Sequence, residues 1–194
     1  MSPIDTILML GKTGSGKDTQ AELLQEKTNF KIFSSGGRFR EIKNQDTVLG
    51  NRIREDLDNG YLMPHWLSTF LFEEVLFALK KGEGIIFEGT ARKRPEAEIF
   101  NEIAVWLGRS YVCVHLIVPD EEIVVRQLKR GREDSNTTEK LKKRLEEYYK
   151  YTTEVIDFFN TENKVIEVDG MGDPEKIHEC IMKALRARGV LGIE

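Results

Sequence analysis

The sequence is poor in cysteine, histidine and proline, and it carries no surplus of positive charge. Its 194 residues hold two cysteines, three histidines and five prolines. Cys113 lies in a run that reads as a strand and Cys180 in one that reads as a helix. Neither has a metal-type neighbour, so neither a disulfide framework nor a zinc cluster is readable, and a reducing cytoplasm is the expected setting. His65, His115 and His178 are scattered and are expected to be structural or surface residues. The apolar runs are far too short to cross a bilayer. The opening Met-Ser-Pro-Ile-Asp lacks the basic and apolar regions of a signal peptide, so no membrane partner is expected. The formal charge is 29 − 33 = −4, which argues against nucleic-acid binding over the whole surface but leaves room for a local basic cleft. There is no repeat and no low-complexity segment. The length suits one domain with small insertions.

What the chain does contain is concentrated near its start. Ile7–Leu10 is an apolar run of strand length, and a helical pattern begins at Gly16. Between them Gly11 and Gly16 are spaced Gly-x-x-x-x-Gly, and Lys17 follows at once. This is the pattern of a phosphate-binding loop. Glycines let successive backbone N–H groups converge on one oxyanion, the helix adds its positive end, and Lys17 adds a mobile point charge. Asp18 stands where most such loops place the magnesium-binding hydroxyl; the hydroxyl comes one residue later, at Thr19.

Further strands are expected at Phe30–Ser34, Ile85–Glu88, Tyr111–Val118 and Val165–Val168, each separated from the next by helical pattern. Ser35–Gly60 reads as two helical pieces with a narrow apolar face of Ile42, Leu49, Ile53 and Leu57, a small flap with few large hydrophobes to anchor it. Met63–Lys80 reads as a strong helix with Leu67, Phe70, Leu71, Val75 and Leu79 on one side. Pro95 opens the next helix, and Asp120 is expected to cap the one after. The stretch 130–137 is polar, and Asn136 with Glu139 forms an expected capping pair. Beyond it Leu141, Leu145, Tyr148, Thr152, Val155 and Phe159 recur at four- and three-residue steps, as in one long helix. Asp173-Pro174 starts a last helix that Gly189 stops.

Strands alternating with helices predict an α/β fold with a parallel sheet. Sites in such sheets form beyond the carboxyl ends of the strands. The phosphate loop, Ser34-Ser35-Gly36, and Glu88 with Arg92 should therefore face one cleft.

Together these pieces resemble the adenylate kinase branch of the nucleoside monophosphate kinases. Gly-x-x-Gly-x-Gly-Lys-x-Thr-Gln is similar to the family's Gly-x-Pro-Gly-x-Gly-Lys-Gly-Thr-Gln. Ser34-Ser35-Gly36-Gly37-Arg38-Phe39-Arg40 resembles Ser-Thr-Gly-Asp, two apolar residues and Arg. Glu88-Gly89-Thr90-Ala91-Arg92 resembles Asp-Gly-Phe-Pro-Arg, and Pro95-Glu96-Ala97 resembles Pro-Gln-Ala. Lys129-Arg130-Gly131-Arg132 and Lys142-Lys143-Arg144-Leu145 resemble the arginine-bearing flanks of a lid. The resemblance implies a P-loop NTPase fold with a five-stranded parallel sheet: a core of 1–34, 67–129 and 138–194, a monophosphate-binding flap at about 35–66, and a short lid at about 130–137 without zinc. It implies magnesium-dependent, reversible transfer of the γ-phosphoryl group of ATP to a nucleoside monophosphate. By the same resemblance, Gly11, Thr13, Gly14, Ser15, Gly16, Lys17, Asp18 and Thr19 hold ATP, with Arg126 and Gly170 near its base. Ser35, Gly36, Arg40, Gly89, Arg92 and Glu96 hold the acceptor. Lys17, Arg92, Arg130, Arg132 and Arg144 neutralise the transferring group, since guanidinium forks bind phosphate oxygens bidentately, and Glu88 holds magnesium through water.

The departures are local: Asp18 for Gly, Thr13 for Pro, Gly37 for Asp, Glu88 for Asp, Thr90-Ala91 for Phe-Pro, and Glu96 for Gln. Glu96 leaves the acceptor base open. An ionised carboxylate only accepts hydrogen bonds, which suits the two-donor edge of guanine, whereas the whole-chain resemblance points to AMP. A pyrimidine monophosphate, or a switch or assembly ATPase on the same fold, is the alternative.

Overall fold

The computed structural model describes residues 3–131, 135, 137–190 and 192. Five strands form one parallel sheet in the order β2-β3-β1-β4-β5: β1 (Thr6–Gly11), β2 (Lys31–Ser34), β3 (Ile85–Glu88), β4 (Tyr111–Ile117) and β5 (Val165–Asp169). The chain leaves β1 toward β2 on one side and later crosses to β4 on the other. The order therefore reverses around β1, and the crevice beyond its carboxyl end is where a ligand fits such a sheet.

Both faces of the sheet are covered, as the continuous apolar strands require. Leu8 and Leu10 point into one layer with Phe72, Phe87, Phe100, Tyr111 and Phe159. There the rings of Phe72, Phe100, Tyr111 and Phe159 meet edge to face at 5.4–5.7 Å. Each buried phenylalanine contributes roughly 1.5–3 kcal/mol by leaving water. Ile7 and Met9, one residue out of phase, point into the other layer with Ala21, Leu24, Ile181 and Leu185. Those residues come from α1 (Lys17–Thr28) and α9 (Pro174–Arg188). Asp173 caps α9 by accepting from the Glu175 N–H, and Gly189 ends it with φ 72°.

α2 (Ser35–Lys43) and α3 (Val48–Asp58) form the hairpin expected after β2. It is better anchored than the sequence suggests. Phe39, Ile42, Ile53, Leu57 and Met63 are buried together with Leu67 and Leu71 of α4 (His65–Phe77). Leu49 lies outside this cluster, 41 % exposed. α4 starts later than the expected Met63 because Pro64 precedes its first turn, and it ends at Phe77 rather than Lys80. It is also sandwiched: Leu67 and Leu71 face the hairpin, Phe72 and Leu76 face the sheet layer. That leaves Phe70 exposed, against the single-faced pattern expected of it.

α5 (Arg94–Trp106) has Pro95 in its first turn, and α6 (Asp120–Arg130) follows β4. Pro119, not Asp120, is the N-cap of α6, which frees the Asp120 carboxylate for tertiary contacts. Thr137 caps α7 (Thr138–Glu147) by accepting from the Lys140 N–H, so the expected pair with Asn136 is corrected; Asn136 itself lies outside the described residues. The long helix expected beyond residue 137 is interrupted. A π turn at Tyr148–Thr152 separates α7 from α8 (Thr153–Thr161), and turns of this kind cluster at functional positions.

Candidate active site

The loop after β1 is held by contacts the motif alone does not predict. Gly14 has φ 77°, and a Cβ there would stand 2.3 Å from Gln127 Nε2, so only glycine lets the loop lie against α6. Gln127 is itself fixed, its Oε1 accepting from Ser135 Oγ at 2.9 Å. Gly16, also at positive φ, is the N-cap of α1, and Lys17 is the first residue of the helix. Lys17 is 4 % exposed. Its Nζ donates to the Lys12 carbonyl at 2.7 Å and lies 3.9 Å from Glu88 Oε1. Burial lowers its pKa to about 8, partly offset by Glu88.

Sheet register places the next groups. Ser34 and Glu88 are partners across β2 and β3, and Ser34 Oγ donates to Glu88 Oε2 at 2.6 Å. Met9 of β1 pairs with Glu88 on the other side, which sets the carboxylate beside the phosphate loop. Ser34 also caps α2 by accepting from the Gly37 N–H. Ser35 Oγ and Thr90 Oγ1 are 2.7 Å apart, tying the start of α2 to the loop after β3. In that loop Gly89 has φ 67°, and a Cβ on it would meet Arg92 Nη2 at 2.2 Å: the guanidinium folds back over the glycine. Ala91 takes a left-handed φ of 55°, a conformation closed to the proline of the resembling motif.

Glu96 is in the first turn of α5, 3 % exposed. Its Oε2 accepts from the backbone N–H groups of Arg92 at 2.8 Å and Lys93 at 3.4 Å. Burial pushes its pKa up to about 7, although these two N–H groups and the nearby cations favour the ionised form. The cap fixes the side chain, so Glu96 does not swing out to solvent.

These residues line one cavity of about 320 Å³. Thr13, Gly14, Lys17 and Asp18 form one wall, Ser35, Gly36 and Arg40 another, and Glu88, Gly89, Arg92 and Glu96 the floor; Arg130 of α6 and Arg144 of α7 complete the lining. Five cations (Lys17, Arg40, Arg92, Arg130, Arg144) face four carboxylates (Asp18, Glu22, Glu88, Glu96). One of those carboxylates, Asp18, is already paired with Arg130 at 2.5 Å. The balance favours anionic groups, as phosphates are. A second hollow of about 550 Å³ opens on the other side of the loop. Gly14, Ser15, Gly16, Thr19, Arg126 and Arg130 line it. Arg126 is held there by Glu122 at 2.7 Å and by the Gly170 carbonyl at 3.1 Å. Both volumes suit a nucleotide-sized ligand. Gly14, Asp18 and Arg130 border both hollows.

Thus the candidate residues come together around the loop. Gly11 ends β1 beneath it, with φ 138°. Arg132 lies outside the described residues, as does much of the stretch 130–137. Ser34 and Thr90 stand inside motifs the sequence shows, but their pairing with Glu88 and Ser35 does not show there; Gln127 is a partner that sequence reasoning missed, because it acts between a helix and the loop. Lys12 stands at a variable position of the motif, so the pattern gives it no role.

The comparisons agree with this geometry. The sequence model of the family described as adenylate kinase matches residues 9–164. An adenylate kinase of Flavobacterium johnsoniae is 34% identical over 184 residues, covering 92% of this chain and 97% of that protein. Adenylate kinases of Bacteroides fragilis and Thermus thermophilus are 35% and 34% identical, again over 92% of this chain and 97% and 96% of theirs. The phosphate loop, Glu88, Arg92, Glu96, Arg126 and Arg144 lie inside the matched region and Gly170 just beyond it: the chain belongs to the adenylate kinase family.

Proposed function

We propose that the protein transfers the γ-phosphoryl group of ATP reversibly to AMP, giving two molecules of ADP. The observation that carries this is a second set of cations. Arg40 of α2 and Arg92 of the β3–α5 loop line the same cavity as Lys17 but come from separate elements. A nucleotide switch needs cations for one polyphosphate only; two further arginines answer to a second phosphate. In the transfer, the bond from the γ-phosphorus to its bridging oxygen breaks and a bond to an acceptor phosphate oxygen forms. Such a reaction asks the protein for alignment and neutralised oxygens rather than covalent chemistry.

ATP extends from the hollow at Arg126 and Gly170 along the loop 11–17, with Thr19 below it. Lys17, Arg130, Arg132 and Arg144 neutralise the transferring group, and Arg40 and Arg92 clamp the monophosphate. Arg130 exchanges the Asp18 carboxylate for phosphate when ATP arrives. Glu88 is a half-buried carboxylate on the cavity wall beside Lys17, and one such oxygen donor fits magnesium, which keeps most of its water; it would hold the ion through water, and the ion would supply charge neutralisation between the phosphates. No group of three or more candidate metal ligands occurs among the described residues. The α2–α3 hairpin, about 35–66, acts as the acceptor flap and excludes water on closing. The setting that fits free cysteines and small nucleotide substrates is a reducing cytoplasm.

Glu96 decides the base. With Oε2 held by the Arg92 and Lys93 N–H groups, Oε1 is the atom left for a base: protonated, it donates to a ring nitrogen and suits adenine; ionised, it accepts from a ring N–H and suits guanine. Values of kcat/KM for AMP, GMP, CMP and UMP, on the wild type and on Glu96→Gln, test this. The variant should gain for AMP, and identical base ratios in the two proteins would remove Glu96 from the acceptor site.

A further inference from the structure

Lys12, the second residue of the phosphate loop, lines neither hollow, yet its side chain is the most firmly tethered in the loop. Only 13 % of it is exposed. Its Nζ donates to the Val118 carbonyl at 3.0 Å and to Asp120 Oδ1, at the corner between β4 and α6. The same carboxylate oxygen accepts from the Tyr149 hydroxyl at 2.8 Å. The ammonium also lies 5.0 Å from the centre of the Tyr149 ring and 5.9 Å from that of Tyr148, within reach of a cation–π attraction. Both tyrosines belong to the π turn, and Tyr148 is itself fixed by a 2.9 Å contact from its hydroxyl to His115 Nε2.

The backbone of the same residue faces the chemistry. The Lys12 carbonyl accepts from Lys17 Nζ at 2.7 Å and from the Ser15 N–H at 3.2 Å. A buried ammonium depends on its acceptors, and the other oxygen near Lys17, on Glu88, is 3.9 Å away. The loop has positive φ at Gly11, Gly14 and Gly16 and contains no proline, so its own torsions do little to hold the peptide that follows Lys12. An ordinary surface ion pair would add little to either stability or function. This one is shielded on the lysine side, although the Asp120 carboxylate is 39 % exposed; the ammonium is joined to a carbonyl, a carboxylate and two rings, and the Lys12 backbone touches the residue most central to the reaction.

We infer that Lys12 is a positioning residue for phosphoryl transfer: clamped onto Val118, Asp120 and Tyr149, it fixes its own carbonyl and through it the Lys17 ammonium. The π turn is part of the clamp, since it presents both tyrosines to one cation. The inference rests on the reading of 11–17 as the loop that holds ATP.

The test is steady-state kinetics with ATP and monophosphate varied in turn, alongside thermal melting, on Lys12→Met, Lys12→Arg, Tyr149→Phe and Lys17→Met. Misplacing a reacting group by about 1 Å costs on the order of a hundredfold, so Lys12→Met should lose about ten- to a hundredfold in kcat with the KM for monophosphate and the melting temperature unchanged. Lys12→Arg, which keeps a cation for Asp120 and the rings, should regain most of the rate. Tyr149→Phe, which removes one hydrogen bond, should lose about two- to fivefold. Wild-type kcat in Lys12→Met would overturn the inference. So would a loss shared with thermal stability that arginine does not repair. Lys17→Met separates the two levels. If it stays active, the loop reading fails and the inference with it; if it is inactive while Lys12→Met is normal, only the clamp fails.

Discussion

The two sides of the site are built differently. On the donor side, one contiguous segment supplies a curled backbone, a helix N-terminus and Lys17. On the acceptor side, Ser35, Arg40, Arg92 and Glu96 come from α2, the β3–α5 loop and α5, brought together by the register of β2 on β3 and by the Ser35–Thr90 contact. On the proposed reading the donor side holds phosphate through the loop backbone together with Lys17, so side-chain changes there other than at the glycines and the two lysines should alter little. The proposed acceptor side would recognise its ligand through individual side chains, so single substitutions there should be selective.

The largest expected effect is on the donor side. Lys17→Met should cost about two to three decades in rate, since loss of one such group is worth about 3–4 kcal/mol in a water-excluded site. It should do so with the fold intact, and a folded variant keeping a tenth of wild-type activity would contradict the loop assignment. Next come Arg92→Ala and Arg40→Ala. Each removes a charge-assisted contact worth about 1.5–3 kcal/mol, so the KM for monophosphate should rise roughly ten- to a hundredfold while that for ATP moves little. Equal losses for both substrates would erase the contrast between the two sides.

Two pH effects sharpen it. Lys17 is cationic below about pH 8, so kcat/KM for ATP, which reports the free enzyme, should decline as pH rises through 8. Glu96 is protonated below about pH 7, so the preference for AMP over GMP should fall as pH rises through 7; a flat ratio would contradict its role. The same shift bears on stability. The folded state holds the Glu96 proton up to about 7, while the unfolded chain releases it near 4.5. The contribution is therefore present at low pH and lost as pH rises through 7. Glu96→Gln should raise the melting temperature at pH 8 and leave it nearly unchanged at pH 4. The smallest effect is at Asp18. Its pair with Arg130 is more than a third exposed on each side and competes with phosphate for the guanidinium. Asp18→Gly should tighten ATP by no more than about fivefold, measured by titration with a fluorescent ATP analogue; weaker binding would show that the carboxylate assists the ligand.

The same contrast explains what could be read in advance. The loop 11–17 was legible because its function is written in consecutive residues. The α/β alternation was legible because the inner strands β1, β3 and β4 are near-continuous apolar runs, as a sheet covered on both faces demands; the edge strands β2 and β5 are more polar. The acceptor side was legible only as separate motifs whose meeting depends on topology. The hairpin core around Phe39 and Met63 was missed because its partners, Leu67 and Leu71, lie on α4, and α4 presents two apolar faces rather than one. The π turn left no trace: Leu141, Leu145, Tyr148, Thr152, Val155 and Phe159 keep the step of an unbroken helix. The Lys12 clamp was hidden for a third reason, since a lysine within a glycine-rich loop reads as solvent-facing until α6 and the π turn are in place.

The central claim is that two phosphate-bearing ligands meet across this cavity and exchange a phosphoryl group. Phosphorus NMR of the protein with magnesium and an equimolar mixture of ATP and AMP, set beside ATP alone, tests it most directly. The account predicts that the mixture forms two ADP for each AMP consumed, without inorganic phosphate, and that ATP alone stays intact. Steady release of inorganic phosphate from ATP at a rate indifferent to AMP would contradict it.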